Sequence, residues 1–468
     1  MLPVIPTPPY TLRYKRAVLY TLTISVGLIP FMVSALTLAL PEIGREFAAD
    51  PVTLGWILTV YLLSASIFQI PIGNFADQTG RKCFFLKTGL LIFVLMSLLC
   101  AMVPTIRWMI GLRLIQGIGS AMVFGTNIAI ISDVFAASER RAAFGINSGL
   151  IFLSLTSGPF IGGLLTHYCG WRSIFLFCVL WGVVGLILAQ TVLRHERIHR
   201  PKPGVSQDYR GAFVYGVGLS LWICGLAGLP GTIGWTLLAL CPIVLVGFVL
   251  VEQRHPNPML HVRELAGNRL FCFSSLASLI CYSATYAVSY VLSLYLKEIR
   301  GCDPGTAGWV LLTQSLAVAL CSPVVGSVLS GRFSDRFLAT SGISVNAIAL
   351  AMLATIAPDT PLWIVVAILV LFGLGIALFV TPNTNAVMES VDAEHYGMAS
   401  AMTGTVRMTG QATSTGLAMM LIATIFGRVQ VTPQNQTLFL KSLHWILLIF
   451  AGLCVIGACA SLARKKSR

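Results

Sequence analysis

The sequence predicts an all-α integral membrane protein with fourteen transmembrane helices, arranged as two pseudo-symmetric six-helix bundles with two further helices inserted between them. Three observations support this fold class. The chain of 468 residues is 56% hydrophobic and 10% charged, whereas soluble domains carry about 25% charged residues. Apolar runs of roughly 18 to 25 residues recur along its whole length, and each is long enough to cross a hydrocarbon core as a helix. A weak repeat relates the two halves of the chain.

The apolar runs predict helices and not strands. Backbone groups find no hydrogen-bond partners in lipid, so a spanning segment is a helix or part of a closed barrel. The runs are continuous, which excludes the alternating pattern of a barrel. The predicted spans lie near residues 17–39, 53–73, 83–103, 108–131, 143–165, 172–193, 211–229, 235–252, 271–294, 306–329, 338–357, 361–385, 396–426 and 441–462. The seventh span is short and rich in glycine, and the thirteenth is long and polar.

The basic residues predict the orientation of the chain. An even number of spans places both termini on one side of the membrane. If that side is the cytoplasm, the cytoplasmic segments hold 21 lysines and arginines and the opposite segments hold 7. This positive-inside pattern predicts a multi-pass protein of the cell membrane, plasma or inner, with both termini in the cytoplasm. The net charge of +14 is then a topology signal and not a nucleic-acid-binding surface.

An internal repeat suggests how the spans are grouped. The segment Gly73-Asn-Phe-Ala-Asp77 follows the second span, and Gly331-Arg-Phe-Ser-Asp335 follows the tenth, 258 positions later. Parallel repeats around a midplane binding site are an architecture of secondary transporters. The predicted segments are a cytoplasmic tail (1–16), an N-terminal six-helix bundle (17–193), a basic cytoplasmic linker (194–210), two extra helices (211–252), a cytoplasmic loop (253–270), a C-terminal six-helix bundle (271–462) and a basic cytoplasmic tail (463–468).

The loop "GNFADQTGRK" places charges between two apolar spans. Gly73 allows close helix approach, Asp77 is suited to capping a helix or pairing with Arg81, and Gly80 is suited to a left-handed backbone. The loop resembles the signature of the major facilitator superfamily, Gly-x-Leu-Ala-Asp-Arg-x-Gly-Arg-Lys, with departures at two positions. The resemblance implies a gating role for this loop. A charged cytoplasmic turn without such a role is the alternative.

A second motif places an arginine inside the fourth span. "RLIQGIGSA" resembles the family pattern Arg-x-x-Gln-Gly-x-Gly-x-Ala through Arg113 and Gln116. A charge at this depth costs on the order of 3 kcal/mol on insertion scales. The resemblance implies that Arg113 takes part in proton coupling. An arginine that extends to the membrane interface from near a helix end is the alternative.

A third motif lies in the fifth span. "SGPFIGG" resembles the antiporter pattern Gly-Pro-x-x-Gly-Gly through Gly158, Pro159, Gly162 and Gly163. The proline removes a backbone donor and permits a kink, and the glycines allow close helix approach. With fourteen spans, the chain resembles the fourteen-helix drug:proton antiporters. That resemblance implies proton-coupled efflux of multiple drugs or other small amphipathic molecules by alternating access. Tight helix packing alone is the alternative.

The first span departs from this subfamily. It reads "FMVSALTLALP", so Met32 stands where the related transporters carry an aspartate. None of the 17 acidic residues lies near the middle of a predicted span. Antiporters for cationic drugs use a buried carboxylate for both the proton and the drug. Intramembrane Arg113 and Arg407 instead favour a neutral, zwitterionic or anionic substrate.

Polar and aromatic residues in the spans that line the family's central cavity are candidate substrate contacts. Intramembrane amides also bridge helices, and tyrosines near span ends also belong to the aromatic belt. We therefore expect fewer than half of them to touch substrate. The candidates are Met32, Tyr61, Asn127, Tyr282, Tyr286, Gln314, Asn383, Asn385 and Arg407.

The energy source follows from a missing motif. The chain has no Gly-x4-Gly-Lys-Ser/Thr phosphate-binding loop, so an ion gradient drives transport or the protein is a facilitator. We expect no enzyme activity, cofactor or bound metal, a small amphipathic substrate, surrounding lipids as partners, and a monomer. A second hypothesis is an exporter or facilitator of an endogenous neutral or anionic lipid or metabolite without standard proton coupling. A remote third is a membrane metalloprotease, suggested by "HERIH" at residues 195–199, although this string lies in a basic linker broken by prolines.

Overall fold

The computed structural model describes residues 10–193, 208–256, 258–259, 267–329, 332–391, 396–432 and 434–463. The described ranges contain long helices and no strand. The helices are α1 (Leu12–Glu46), α2 (Pro51–Thr79), α3 (Lys82–Ala101), α4 (Ile106–Val134), α5 (Ala137–Cys169), α6 (Arg172–Val192), α7 (Tyr209–Gly228), α8 (Thr232–Arg254), α9 (Arg269–Ile299), α10 (Pro304–Val324), α11 (Asp335–Leu353), α12 (Leu362–Glu389), α13 (Tyr396–Ile425) and α14 (Gln436–Leu462). The fourteen helices confirm the predicted fold class.

Two helices depart from regular α geometry near their ends. The last turn of α9, Tyr295–Ile299, is π-helical, and a second π-helical segment, Val325–Leu329, follows α10. A π turn changes the direction in which the following side chains project. In α9 this change falls on the residues that contact α1 across the bundle interface.

Thirteen of the described helices are long and apolar enough to cross a membrane, and α13 is the exception. Its polar side chains are hydrogen-bonded to neighbouring helices. The Thr59 hydroxyl donates to Thr415 Oγ1 at 2.8 Å, the Trp222 ring N–H donates to Thr413 Oγ1 at 3.0 Å, and the Ala287 N–H donates to Ser414 Oγ at 2.9 Å. A helix enclosed by protein does not need a lipid-like surface, which explains its polar sequence.

The same set of helix pairs occurs in each half of the chain. In the N-terminal bundle, α1 packs on α5 and α6, α2 on α4, and α3 on α4 and α6. In the C-terminal bundle, α9 packs on α13 and α14, α10 on α12, and α11 on α12 and α14. The bundles meet through two related contacts, α5 with α10 and α13 with α2. This pairing is a pseudo-two-fold arrangement.

The inserted helices form a pair beside this core. Helices α7 and α8 pack on each other, and α7 also contacts α2 and α13. The inserted pair therefore covers one of the two bundle contacts, and the equivalent contact between α5 and α10 has no such cover among the described helices.

Several boundaries differ from the predicted spans. Helix α1 begins at Leu12, five residues before the predicted span, and α2 continues to Thr79, six residues beyond its predicted end. Most of the charged loop is therefore the last turns of α2. The chain reverses at Gly80, whose φ of 70° is the left-handed conformation that glycine adopts at low cost. The basic linker from 194 to 207, Gly331 and the tail from 464 lie outside the described residues.

The two membrane faces are named here by the chain ends. The proximal face carries the start of α1, the turn between α2 and α3 and the end of α14. The distal face carries the end of α1, the start of α2 and the end of α9.

Candidate functional site

Arg113 is a fully buried cation in the second turn of α4. Its side chain is 0% exposed. The Nε atom donates to the Ile57 carbonyl at 3.3 Å, and Nη1 donates to Gln116 Oε1 at 2.6 Å. The guanidinium carbon lies 4.1 Å from the centre of the Tyr61 ring. The charge is therefore held by a carbonyl, an amide and an aromatic face.

The contacts of Arg113 continue across three helices of the N-terminal bundle. Gln116 Nε2 donates to Ser97 Oγ on α3 at 2.7 Å, and the Tyr61 hydroxyl on α2 hydrogen-bonds Ser120 on α4. The Nη2 atom of Arg113 has no hydrogen-bond acceptor among the described residues. The edge of the guanidinium at Nη2 is thus left without a hydrogen-bond acceptor among the described residues. A cation removed from water is destabilised when its N–H groups lack such acceptors.

Met32 lies on α1, at the position where the resemblance described above implies a carboxylate. Its side chain is fully buried, and its Sδ lies 3.7 Å from Cys178 Sγ on α6. Cys178 lies within electrostatic range of Arg113. The predicted cavity residue Met32 therefore packs inside the N-terminal bundle in this conformation, on a thiol and not on an open cavity.

Carboxylates are confined to the ends of helices. All 13 acidic residues in the described part of the chain lie in a loop or within four residues of a helix end. The described membrane interior thus contains intramembrane arginines and no acidic counter-charge. This arrangement makes the interior electrostatically favourable for anions and unfavourable for cations.

Arg407 is the second intramembrane arginine and lies near the middle of α13. Its side chain is partly exposed, and its guanidinium carbon lies 5.6 Å from the centre of the Phe124 ring on α4. Tyr282 on α9 lies within electrostatic range of Arg407. Arg407 therefore lies where the two bundles face each other, beside the Phe124 ring.

The other predicted cavity residues divide into two groups. Asn383 is buried and donates to Ser278 Oγ at 2.6 Å and to the Ser274 carbonyl at 3.3 Å, so it bridges α12 to α9. Asn127 is buried, and its Oδ1 atom has no described hydrogen-bond partner. The partly exposed members are Tyr282, Tyr286, Gln314 and Asn385, while Tyr61 is buried against Arg113.

The glycines of α5 bring three helices into close contact. A Cβ atom at Gly158 would lie 3.0 Å from the backbone N of Ala35 on α1, and one at Gly162 would lie 2.8 Å from the Cα of Ala35. A Cβ atom at Gly163 would lie 3.2 Å from the Cα of Gly308 on α10. Pro159 lies within α5, and its carbonyl faces the same glycine of α10. Helix α5 thus packs between α1 of its own bundle and α10 of the other.

Ion pairs join the two bundles at the distal face. Lys297 Nζ on α9 lies 3.0 Å from Glu42 Oε1 on α1, and Arg45 Nη2 lies 3.1 Å from Glu298 Oε1. The side chain of Lys297 is 1% exposed. These four residues, which we call the distal lock, were not among the sequence-predicted site residues. No local pattern indicates them, because the partners lie on helices about 250 positions apart.

A third inter-bundle pair lies at the same face. His167 Nδ1 at the end of α5 lies 3.8 Å from Asp303 Oδ2, which precedes α10. The Thr306 hydroxyl and N–H donate to the Asp303 carboxylate and hold the pKa of that carboxyl below its ordinary value. Asp303 is therefore ionised at neutral pH and available to a protonated imidazole.

Charges on the proximal face are paired within one bundle. Lys82 Nζ lies 2.9 Å from Asp77 Oδ1 and 2.7 Å from Asp133 Oδ2, and Lys15 Nζ lies 2.6 Å from Glu139 Oε2. Capping of a helix and pairing with Arg81 were the two predicted roles of Asp77. In the structure Asp77 pairs with Lys82, because Lys82 turns back towards α2 and α4, while Arg81 is exposed at the start of α3. The salt bridges between α1 and α9, by contrast, join the two bundles on the distal side.

Gly73 has a packing role in the same region. A Cβ atom at this position would lie 3.3 Å from the carbonyl of Gly125 on α4. The close approach of α2 and α4 holds the last turns of α2, and therefore Asp77, beside Asp133.

The described residues contain no group of three or more histidines, cysteines or acids placed to hold a metal ion. The "HERIH" string at 195–199 lies outside the described residues.

Comparison with known proteins agrees with this architecture. Residues 22–248 and 274–468 match the model of the Major Facilitator Superfamily. The chain is 27% identical to the riboflavin transporter RibZ of Clostridioides difficile (strain 630) over 449 residues, which cover 95% of this chain and 96% of that protein. It is 30% identical to the multidrug resistance protein Stp of Mycobacterium tuberculosis (strain ATCC 25618 / H37Rv) over 407 residues, which cover 85% of this chain and 74% of that protein.

A solved structure shares the fold. A bacterial homolog of the human lysosomal transporter Spinster, in an inward-facing and unoccupied conformation, superposes with a TM-score of 0.68 at 16% identity and covers 97% of each chain. The matched family and these relatives are transporters and not enzymes. The chain therefore belongs to the Major Facilitator Superfamily and is a multi-pass membrane transporter.

Proposed function

We propose that this chain is a secondary active exporter of small amphipathic molecules that works by alternating access and takes its energy from proton entry. The observation that carries the proposal is the pair of inter-bundle salt bridges at the distal face, Lys297 with Glu42 and Arg45 with Glu298. A transporter of two rigid bundles opens one face when it breaks the contacts there. The distal lock is such a contact, and it closes the distal face in this conformation.

Export requires that substrate enters at the cytoplasmic face and leaves at the opposite face. The positive-inside rule places the proximal face in the cytoplasm of the cell membrane. A substrate then enters from the cytoplasm and leaves when the distal lock opens. The antiporter-like glycines of α5, which pack against α1 and α10, lie at the interface that such a motion rearranges. A relative named as a tetracenomycin C resistance and export protein supports export as the direction.

Proton coupling is assigned to Arg113 and its contacts. A desolvated guanidinium with an unpartnered Nη2 responds to the charge state of what enters its surroundings. Surrounding lipids are the expected partners, and the transporter is expected to act as a monomer without nucleic acid or a cofactor. The proton gradient takes the place of a cofactor as energy source.

Transport into proteoliposomes with an imposed pH gradient tests this proposal. We expect gradient-driven flux of riboflavin by the wild-type chain and flux at the background level for Arg113→Ala. Arg107→Ala is the matched control, because Arg107 is an exposed arginine on the same helix and its loss should leave flux unchanged. Flux that is independent of the gradient in both wild type and Arg113→Ala would exclude proton antiport.

One observation favours a second candidate. Met32 leaves the surroundings of Arg113 without a carboxylate, and a titrating carboxylate is the usual proton carrier. An exporter or facilitator of an endogenous neutral or anionic lipid or metabolite without standard proton coupling fits this feature. Gradient-independent flux in the assay above would support it.

A further inference from the structure

Arg407 differs from the other buried or partly buried cations described here in lacking a hydrogen-bond or ion-pair partner among the described residues. Lys82, Lys297 and Arg113 each form an ion pair or hydrogen bonds with side chains. Arg407 forms no hydrogen bond or ion pair with another described residue, and it remains partly exposed in the interior of the bundle interface. A solvated or ligand-bound guanidinium explains this arrangement, whereas a lipid contact does not, because α13 is enclosed by α2, α4, α7 and α9.

Two aromatic residues lie near the guanidinium. The Phe124 ring centre on α4 lies 5.6 Å from the guanidinium carbon. Tyr282 on α9 packs closely against Gly410, one helical turn after Arg407 on α13. The two aromatic residues therefore approach α13 from different bundles.

A buried amide next to Arg407 is also incomplete. Gln69 on α2 is 3% exposed, and its Oε1 atom has no hydrogen-bond partner in the described chain. Its side chain packs against Gly404, which is one helical turn before Arg407. A buried acceptor without a partner is uncommon, and a donor on a bound molecule would satisfy it. Gln69 therefore adds an unpaired polar atom at the level of α13 that carries Arg407.

We propose that Arg407, Phe124 and Tyr282 form a substrate subsite for planar aromatic molecules that carry a negative charge, with Gln69 beside it. The guanidinium pairs with a carboxylate, sulfonate or phenolate, and the rings of Phe124 and Tyr282 stack on the planar body. The assignment rests on the proposed function, since it names the substrate class of the transport cavity. The negative charge of the substrate also follows from the lack of carboxylates in the described membrane interior, because no acidic side chain there would neutralise a cationic substrate.

Binding of two dyes tests the subsite without requiring transport. Fluorescein and rhodamine 123 share a xanthene ring, but the first is an anion and the second a cation. Fluorescence polarisation is measured with the full chain in phosphatidylcholine nanodiscs. We expect wild-type protein to bind fluorescein at least tenfold more tightly than rhodamine 123. Equal or tighter binding of rhodamine 123, or no measurable binding of fluorescein, overturns the subsite.

Variants then locate the site. Arg407→Gln should weaken fluorescein binding about tenfold or more, because the charge-assisted contact between the guanidinium and the anionic dye is lost. The same variant should leave rhodamine 123 binding unchanged or tighter, because a positive charge near the cationic dye is removed. Arg407→Lys should keep part of the affinity, since the charge remains without the planar fork. Arg428→Gln is the matched control, because Arg428 is an exposed arginine just beyond the same helix. Unchanged fluorescein binding in folded Arg407→Gln overturns the assignment to this residue.

The outcome is separable from the proposed function. The comparison of dyes on the wild-type chain does not depend on the folding of any variant, and folding of Arg407→Gln is checked by size-exclusion profile and melting temperature. Gradient-driven transport of a neutral or cationic probe without fluorescein binding would refute the anion subsite and retain proton-coupled export. Fluorescein binding without gradient-driven flux would retain the subsite and refute proton-coupled export.

Discussion

The distal lock supports a quantitative prediction for Lys297→Met. Lys297 is 2% exposed, and its ammonium lies 3.0 Å from Glu42, whose side chain is 22% exposed. Removal of the ammonium leaves the Glu42 carboxylate without its partner while the distal face is closed. Breaking a fully buried pair costs about 3 to 5 kcal/mol, and a charge-assisted hydrogen bond contributes about 1.5 to 3 kcal/mol. Because Glu42 retains some solvent, we take about 2 kcal/mol.

The sign of the effect follows from hydration. When the distal face opens, water replaces the lost ammonium around Glu42, so the open state is destabilised less than the closed state. A difference of about 2 kcal/mol shifts the equilibrium towards the distal-open state about thirtyfold. The double variant Lys297→Met with Glu42→Gln removes both charges and should return the equilibrium most of the way to that of the wild type.

Hydrogen–deuterium exchange of the chain in nanodiscs measures this shift. We expect exchange to rise in peptides from the distal ends of α1 and α9 for Lys297→Met, by roughly the same factor as the opening equilibrium. Lys441→Met is the control, since Lys441 is an exposed lysine near the same face. The reasoning fails if Lys297→Met exchanges like wild type at these ends, or if the double variant stays as open as the single variant.

Three further predictions concern other parts of the molecule. Met32→Asp should place a carboxylate near Arg113 and give measurable export of ethidium, whereas the uncharged variant Met32→Asn should give none. Equal ethidium export by the two variants would refute the idea that the missing carboxylate determines which substrate charge is accepted. Gly158→Ala should lower stability by about 1 to 3 kcal/mol, measured as a lower melting temperature, because the added methyl group meets the backbone of α1. Gly149→Ala on the same helix meets no atom within 4 Å and should melt like wild type, and equal melting of the two variants would contradict the close-packing argument. Asp77→Asn should reduce the transport rate more than the yield of folded protein, and normal transport at normal yield would count against a gating role for this carboxylate.

Much of the fold was predictable because the signal is local. The preference of each apolar run for lipid depends only on the residues of that run. The number and order of the helices can therefore be predicted from composition along the chain. Helix α13 was still predicted as a span, although it is not apolar enough to be counted among the thirteen described helices that could cross a membrane by hydropathy. Its polar side chains could not be assigned partners from sequence, because Thr59, Trp222 and Ala287 lie on three different helices.

The candidate site was predictable only where a motif carried it. Arg113 and Gln116 were predicted from a family pattern, and the structure places them 2.6 Å apart. Asp77 was predicted to cap a helix or to pair with Arg81, and the structure pairs it with Lys82, since the choice between two adjacent basic residues depends on the direction in which α3 begins. Phe124 and Gln69 were not predicted, because an aromatic residue and an amide in apolar spans have no distinctive local pattern.

The sequence by itself determined that the chain crosses the membrane many times, that its basic residues favour one side, and that its interior carries arginines without carboxylates. These properties depend on residue type and on position within a span, and the linear order of the residues contains both. Only the tertiary structure decided which charges meet. Lys297 and Glu42 lie 255 positions apart, and Arg407 reaches Phe124 from the other bundle. Such pairs form because helix packing brings distant segments together, and no local physical property of either segment records the contact.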